Sequence, residues 1–297
     1  MARQTGEGQR RAWLIAPSVL TIGFFMLVPV FIMAAISFME RGSGGGVRWG
    51  SFTSEPYVQF LFERDLDDSL MLNTDYLQIF FRSIWLAVLT TLLTLAVGLP
   101  TALFMALQPE RRRNILIFLV TIPFWTNLLV RNYAWILLLR NNGLIDQVLM
   151  GLGLRSQPMG VLYTTFSIAV GLTYTFMPFM VLPIYASLEK MDWRLVEAAY
   201  DLGADRWRAL RRIVIPLAMP GIVAGCILVF VPCLGAFVTP ELLGGGKAMM
   251  IGNLIQSQFG AARNWPFGAA LSMALLAAVL LAMMFYLWRY RRAPGAA

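Results

Sequence analysis

The sequence contains no histidine. That absence excludes serine–histidine catalysis, histidine metal centres and histidine proton relays. Cysteine is nearly absent as well. Cys226 and Cys233 lie seven residues apart inside an apolar run, match no metal-site spacing, and read as small core residues rather than a disulfide. Charge is scarce: 13% of the 297 residues are charged, where a soluble domain carries about 25%. With 58% hydrophobic residues and a mean hydropathy of +0.66, composition excludes an ordinary soluble fold and points to a membrane protein. No carboxylate pair lies deep in an apolar run and no internal repeat is evident. These absences argue against an intramembrane enzyme and against a stand-alone secondary transporter.

What is present is a set of six long apolar segments. They run from about Trp13 to Phe38, Tyr76 to Leu107, Ile115 to Leu139, Val161 to Leu188, Ile213 to Val238 and Pro266 to Trp288. Each is long enough to cross the hydrocarbon core as a helix of about 20 residues. The first is too long for a signal-peptide apolar region of about 7–15 residues and reads as a retained helix. Many of the 25 glycines and 15 prolines fall inside these segments, which membrane helices tolerate better than soluble ones.

The net charge of +8 is unevenly distributed. With six spans both termini share one side. That side holds 15 of the 24 basic residues, in the tails (1–12 and 289–297), at Arg111, Arg112 and Arg113, and between Lys190 and Arg212. The positive-inside rule makes it cytoplasmic. The opposite side carries an acidic loop at 39–75 with Glu40, Glu55, Glu63, Asp65, Asp67, Asp68 and Asp75. This loop can concentrate cations, meet basic residues of a partner, or simply be solvated. Gly44–Gly46 and Gly244–Gly246 read as flexible outer turns. A membrane core with five spans is expected at 76–288, containing an inner loop at 189–216.

That inner loop reads EKMDWRLVEAAYDLGADRWRALRRIVIP. Asp192 suits a helix N-cap, Gly203 a left-handed stop, and Asp205 the cap of a second helix through Trp207, Leu210 and Ile213. Leu195, Ala198, Ala199 and Leu202 recur at helical spacing and give one apolar face. Ala198 and Ala199 permit close backbone approach, with Glu197 and Asp201 one turn apart beside them. Such a knob fits a groove on a cytoplasmic partner. An amphipathic pair lying on anionic lipid is the alternative that the residues leave open.

The spacing Glu197-Ala198-Ala199, three residues, Gly203, nine residues, Ile213, one residue, Ile215-Pro216 resembles the EAA loop of ABC-importer permeases. Ile215 stands where that pattern has leucine. Three further segments resemble the spermidine/putrescine permeases of the first of two paired types: IPFWTNLLVRNYAWILLLRNNG (122–143), FMPFMVLPIYASLEK (176–190) and TPELLGGGKAMMIGNLIQSQFGAARNWPFGAALS (239–272). The resemblance covers roughly 76–288; the 39–75 loop matches least.

It implies an all-α, six-helix type I importer (MetI-like) transmembrane domain in a bacterial inner membrane. A second permease, two ATPase subunits and a periplasmic binding protein are the implied partners. Lipid surrounds the spans, and nucleic acid has no part. No cofactor is expected on this chain, because ATP and magnesium act on the ATPase. Glu197, Ala198, Ala199, Asp201 and Gly203 become the coupling residues. Putrescine and spermidine are the first-choice solutes. Other organic cations, amino-acid derivatives or opines come next, and iron or anions last.

For a polyamine the chemistry calls for carboxylates and aromatic faces. Candidates along the path are Trp125, Asn127, Tyr133, Tyr174, Tyr185, Asp146 and Glu241, each also explicable as packing or capping. Arg131, an ionisable residue within a span, should face protein or water. Its plainest role is structural, with carboxylate binding or partner docking as alternatives.

Overall fold

The computed structural model describes residues 3–64, 70–72 and 74–291. Asp65, Asp67, Asp68 and Arg292 therefore lie outside the described residues. The chain divides into two compact units, one formed by the residues up to Leu77 with those from Ile255 onward, the other by Gln78–Leu254.

In the first unit α1 (Arg3–Ile36) packs against α13 (Trp265–Arg291). Between α1 and the second span the described residues form short elements. Strands β1 (Met39–Arg41) and β2 (Val47–Phe52) pair antiparallel, α2 (Glu55–Leu61) follows, and β3 (Phe62–Arg64) pairs with β4 (Leu70–Leu72). The first glycine turn is pinned rather than free. The Gly46 amide donates to the Arg263 carbonyl at 2.8 Å, and the Arg41 guanidinium donates to the Ala262 carbonyl at 2.7 Å.

The second unit holds most of α3 (Thr74–Ala106), then α4 (Glu110–Trp125), α5 (Leu128–Leu139), α6 (Leu144–Gly151) and α7 (Thr165–Glu189). Next come α8 (Arg194–Asp201), α9 (Arg206–Ala209), a π-helical turn at Leu210–Val214, α10 (Ile215–Leu234), α11 (Val238–Gly244) and most of α12 (Ile251–Phe259). Two buried hydroxyls on α3 bond within the helix, which suits lipid surroundings: Thr91 donates to the Ala87 carbonyl at 2.7 Å and Thr94 to that of Thr90. The unit's main contact is α7 on α10. A Cβ at Gly221 would stand 2.4 Å from the Pro183 carbonyl oxygen, so only glycine admits this approach.

Among the described residues, five helices are long and apolar enough to span a bilayer: Ile15–Ile36, Thr74–Ala106, Thr165–Glu189, Arg206–Leu234 and Trp265–Met284. The expected third span, Ile115–Leu139, is not one straight helix. It is α4 followed, after Thr126 and Asn127, by the stretch Leu128–Gly151 that α5 opens; the two are bent by 94°, and counting the bent pair gives six. Two local causes meet there. Pro123 supplies no amide to the helix ladder. The Asn127 side chain accepts from the Leu129 amide at 2.8 Å and starts a new helix. The fifth span also stops short of Val238: α10 ends at Leu234, and α11 starts afresh after an irregular segment. The fourth begins at Thr165 rather than Val161, because Thr164 and Ser167 form a reciprocal capping box there.

Candidate functional site

The inner loop forms a capped helix, a glycine turn and a second helix that runs on into α10. The Asp192 carboxylate accepts from the Arg194 amide at 3.0 Å and opens α8. Gly203 has φ +80°; its amide donates to the Tyr200 carbonyl and that of Ala204 to the Ala199 carbonyl, both at 2.9 Å. This pair of bonds is a Schellman ending. Asp205 then accepts from the Arg208 amide at 2.7 Å and lies 3.5 Å from the Arg208 guanidinium. The π turn follows, directly before Pro216, which has no amide to donate and crowds the turn before it.

Val196, Ala209 and Val214 are buried and hold this turn on its unit. The apolar face formed by Leu195, Ala198, Ala199 and Leu202 points the other way. Leu202 is 88% exposed, Trp207 67% and Leu195 49%, with Ala199 half-buried and Ala198, Glu197 and Asp201 exposed beside them. An exposed apolar patch flanked by carboxylates on a rigidly capped turn is the form of a docking surface.

The second site is where the two helix breaks face each other. A cavity of about 330 Å³ is lined by Phe124, Thr126 and Arg131 around the α4–α5 break, by Thr175, Phe176 and Phe179 on α7, and by Pro232 and Gly235 to Thr239 around the α10–α11 break. Its aromatic rings offer π faces to a cation. Thr126 donates to the Pro123 carbonyl at 2.8 Å and Thr175 to the Gly171 carbonyl at 2.7 Å. With their protons engaged, their oxygens are left as acceptors.

Arg131 closes the bend. Its guanidinium donates to the Pro123 carbonyl across the break and lies 5.9 Å from the centroid of the Tyr174 ring. Tyr174 in turn stacks edge-on with Trp135 at 5.6 Å. The structure thus gives Arg131 a carbonyl to hold, where the sequence also allowed a carboxylate. Arg131→Met keeps length and removes the charge-assisted bond, worth roughly 1.5–3 kcal/mol. A lowered midpoint of thermal unfolding in detergent is the expected result. An unchanged midpoint contradicts the clasp.

The remaining path candidates are scattered. Trp125 and Tyr133 are exposed at 80% and 56%. Asn127 is engaged as the α5 cap. Asp146 is buried; its two oxygens accept the Asn142 and Met159 amides, each at 3.0 Å, which fixes the loop after α5. Tyr185 is buried one turn from the end of α7, beside an ion pair of Arg113 with Glu189 at 3.5 Å. Glu241 is exposed in the first turn of α11. The second glycine turn is packed: Tyr163 lies against Gly245, and its amide donates to the Leu243 carbonyl at 3.0 Å. Phe124, Phe176, Phe179 and Phe237 were not singled out from sequence. The paired breaks, Pro123-to-Asn127 and Pro232-to-Gly235, were the signal available.

Residues 98–293 match the model of a family described as binding-protein-dependent transport system inner membrane components. The chain is 38% identical over 277 residues to the spermidine/putrescine transport system permease protein PotB of Haemophilus influenzae, covering 93% of this chain and 89% of that one. It is 39% identical over 268 residues to the protein of the same name from Escherichia coli, covering 90% and 93%. Among solved structures it resembles a bacterial ABC transporter involved in import of the acidic polysaccharide alginate. The TM-score there is 0.72 at 17% identity, over 98% of this chain and 100% of that one. The MetNI methionine ABC transporter gives 0.54 at 18% identity, over 73% and 94%. At such identities these two likenesses concern the fold.

Proposed function

The chain belongs to the family of binding-protein-dependent transport system inner membrane components, and from that premise we propose that it carries the polyamines putrescine and spermidine into the cell. It is a multi-span permease subunit of an ABC importer, and ATP hydrolysis is the task of a separate chain. In this reading both termini and the α8–α9 turn are cytoplasmic, and the 39–75 loop faces the periplasm. A second permease completes the pathway, two ATPase subunits drive it, and a periplasmic binding protein delivers the solute.

The observation that carries the transport mechanism is the α8 turn: an apolar face with Glu197 and Asp201 beside it, exposed yet capped at both ends. The solute class rests on the relatives, nearly 40% identical over nine-tenths of the chain. Within the path, the cavity at the two breaks suits a passing cation. Its π faces and hydroxyl oxygens attract ammonium groups while Arg131 opposes them, so residence is short and release is not impeded.

The test is ATP-dependent uptake of labelled spermidine by cells carrying the whole transporter, against cells lacking this chain. Competition by unlabelled putrescine but not by amino acids or anions is the expected pattern. Competition by amino acids or anions alone overturns the polyamine assignment.

A further inference from the structure

Arg113 and Glu189 form an ion pair that the transport reading has not used. Their nitrogen and oxygen stand 3.5 Å apart, with the side chains 27% and 43% exposed. The pairs Arg48–Glu40 and Arg208–Asp205 close a hairpin and a helical turn. Arg113–Glu189 instead joins two long helices that are distant in sequence.

Its position is informative. Glu189 is the last residue of α7, and only Lys190 and Met191 separate it from Asp192, the residue that opens α8. Arg113 lies in the first turns of α4. At the other end of α4, Phe124 meets Phe179 of α7 edge-on at 5.5 Å, beside the cavity. From Arg113 to Phe124 is 11 residues, and from Glu189 back to Phe179 is 10. At 1.5 Å per residue both stretches are about 15 Å long. The two helices therefore run antiparallel and in step, pinned at both ends. None of α4's residues is fully buried.

We propose that the Arg113–Glu189 pair positions α4 as a strut that carries movement of the α8 turn to the 94° bend at the cavity. The pair acts through α4, and neither residue touches the solute. When the turn is displaced, Glu189 moves with it and draws Arg113 along. The far end of α4, with Phe124 and the Pro123 carbonyl that Arg131 holds, shifts against α7. The rods are stiff, so displacement at one end arrives at the other. The inference rests on the coupling role of α8.

The experiment compares Arg113→Ala, Glu189→Gln, the exchanged pair Arg113→Glu with Glu189→Arg, and Glu197→Lys. Each is placed in the reconstituted transporter with its binding protein and ATPase. Membrane level, ATPase co-purification, ATP hydrolysis and spermidine uptake are measured together. Arg113→Ala and Glu189→Gln should assemble and hydrolyse ATP, yet move at least about tenfold less spermidine per ATP. The exchanged pair should recover the ratio to within about threefold. An unchanged ratio in either single variant overturns the proposal. So does failure of the exchange to restore it, or failure of both single variants to assemble, which assigns the pair to folding. Glu197→Lys separates the two levels: if it alone leaves uptake normal, the coupling role of α8 fails, whereas loss of uptake by Glu197→Lys with silent Arg113→Ala removes only the strut.

Discussion

Glu197→Lys is expected to abolish spermidine uptake while leaving the chain folded and in the membrane. Glu197 is exposed and forms no ion pair among the described residues, so its replacement removes no internal contact. The cost to α8 is small. A lysine in the first turn opposes the helix dipole by roughly 0.3–1 kcal/mol. The cost at the proposed ATPase contact is larger. Loss of one partner from a hydrogen-bonded interfacial charge pair costs roughly 2–5 kcal/mol, and each 1.4 kcal/mol is about tenfold in affinity. ATPase retention should therefore fall by about 30-fold or more, and uptake with it. Glu197→Gln keeps shape and a hydrogen-bonding oxygen, and should lose far less. Uptake by Glu197→Lys at the unmodified rate contradicts the assignment of this turn.

The second large effect is expected at Gly203. Its φ of +80° lies in the left-handed region, and a Cβ there would meet nothing within 4 Å. Space is therefore not the constraint; backbone conformation is. A β-branched residue with positive φ is strained by roughly 1–3 kcal/mol. The turn it would distort includes the hydrogen bonds of the Gly203 and Ala204 amides. Gly203→Val should release the α8–α9 angle, with ATPase co-purification and uptake both lost. Gly203→Asn, a side chain that tolerates positive φ, should retain most of both. Equal loss in the two variants points to packing instead of strain.

The contrast between local and non-local signals explains what could be anticipated from sequence. Asp192, Gly203 and Asp205 act within a few residues of themselves, so their capping roles were visible in the amino-acid order. Long apolar runs located five spans for the same reason. The sixth was harder. Pro123 suggests a kink, but the right-angled bend needs Asn127 to cap α5 and Arg131 to hold the stranded carbonyl. Both contacts are short in sequence, but they depend on side-chain placement at the break and leave no mark on an apolar run. Asp146 has the composition of a pathway carboxylate, and only the return of the chain at Met159 shows that its oxygens are engaged. The pairing of Arg113 with Glu189, across α4 to α7, is likewise set by helix packing and leaves no mark on local periodicity.

The proposed coupling role makes the exposed face of α8 the place where a separate ATPase delivers energy to this chain. The most direct measurement places a photoreactive residue at Ala198, on that face, in a complex actively importing spermidine. A buried control is placed at Ala102. The expected result is an adduct between Ala198 and the ATPase chain, with none from Ala102. Adducts with lipid or the second permease alone, in a complex that still transports, contradict the claim.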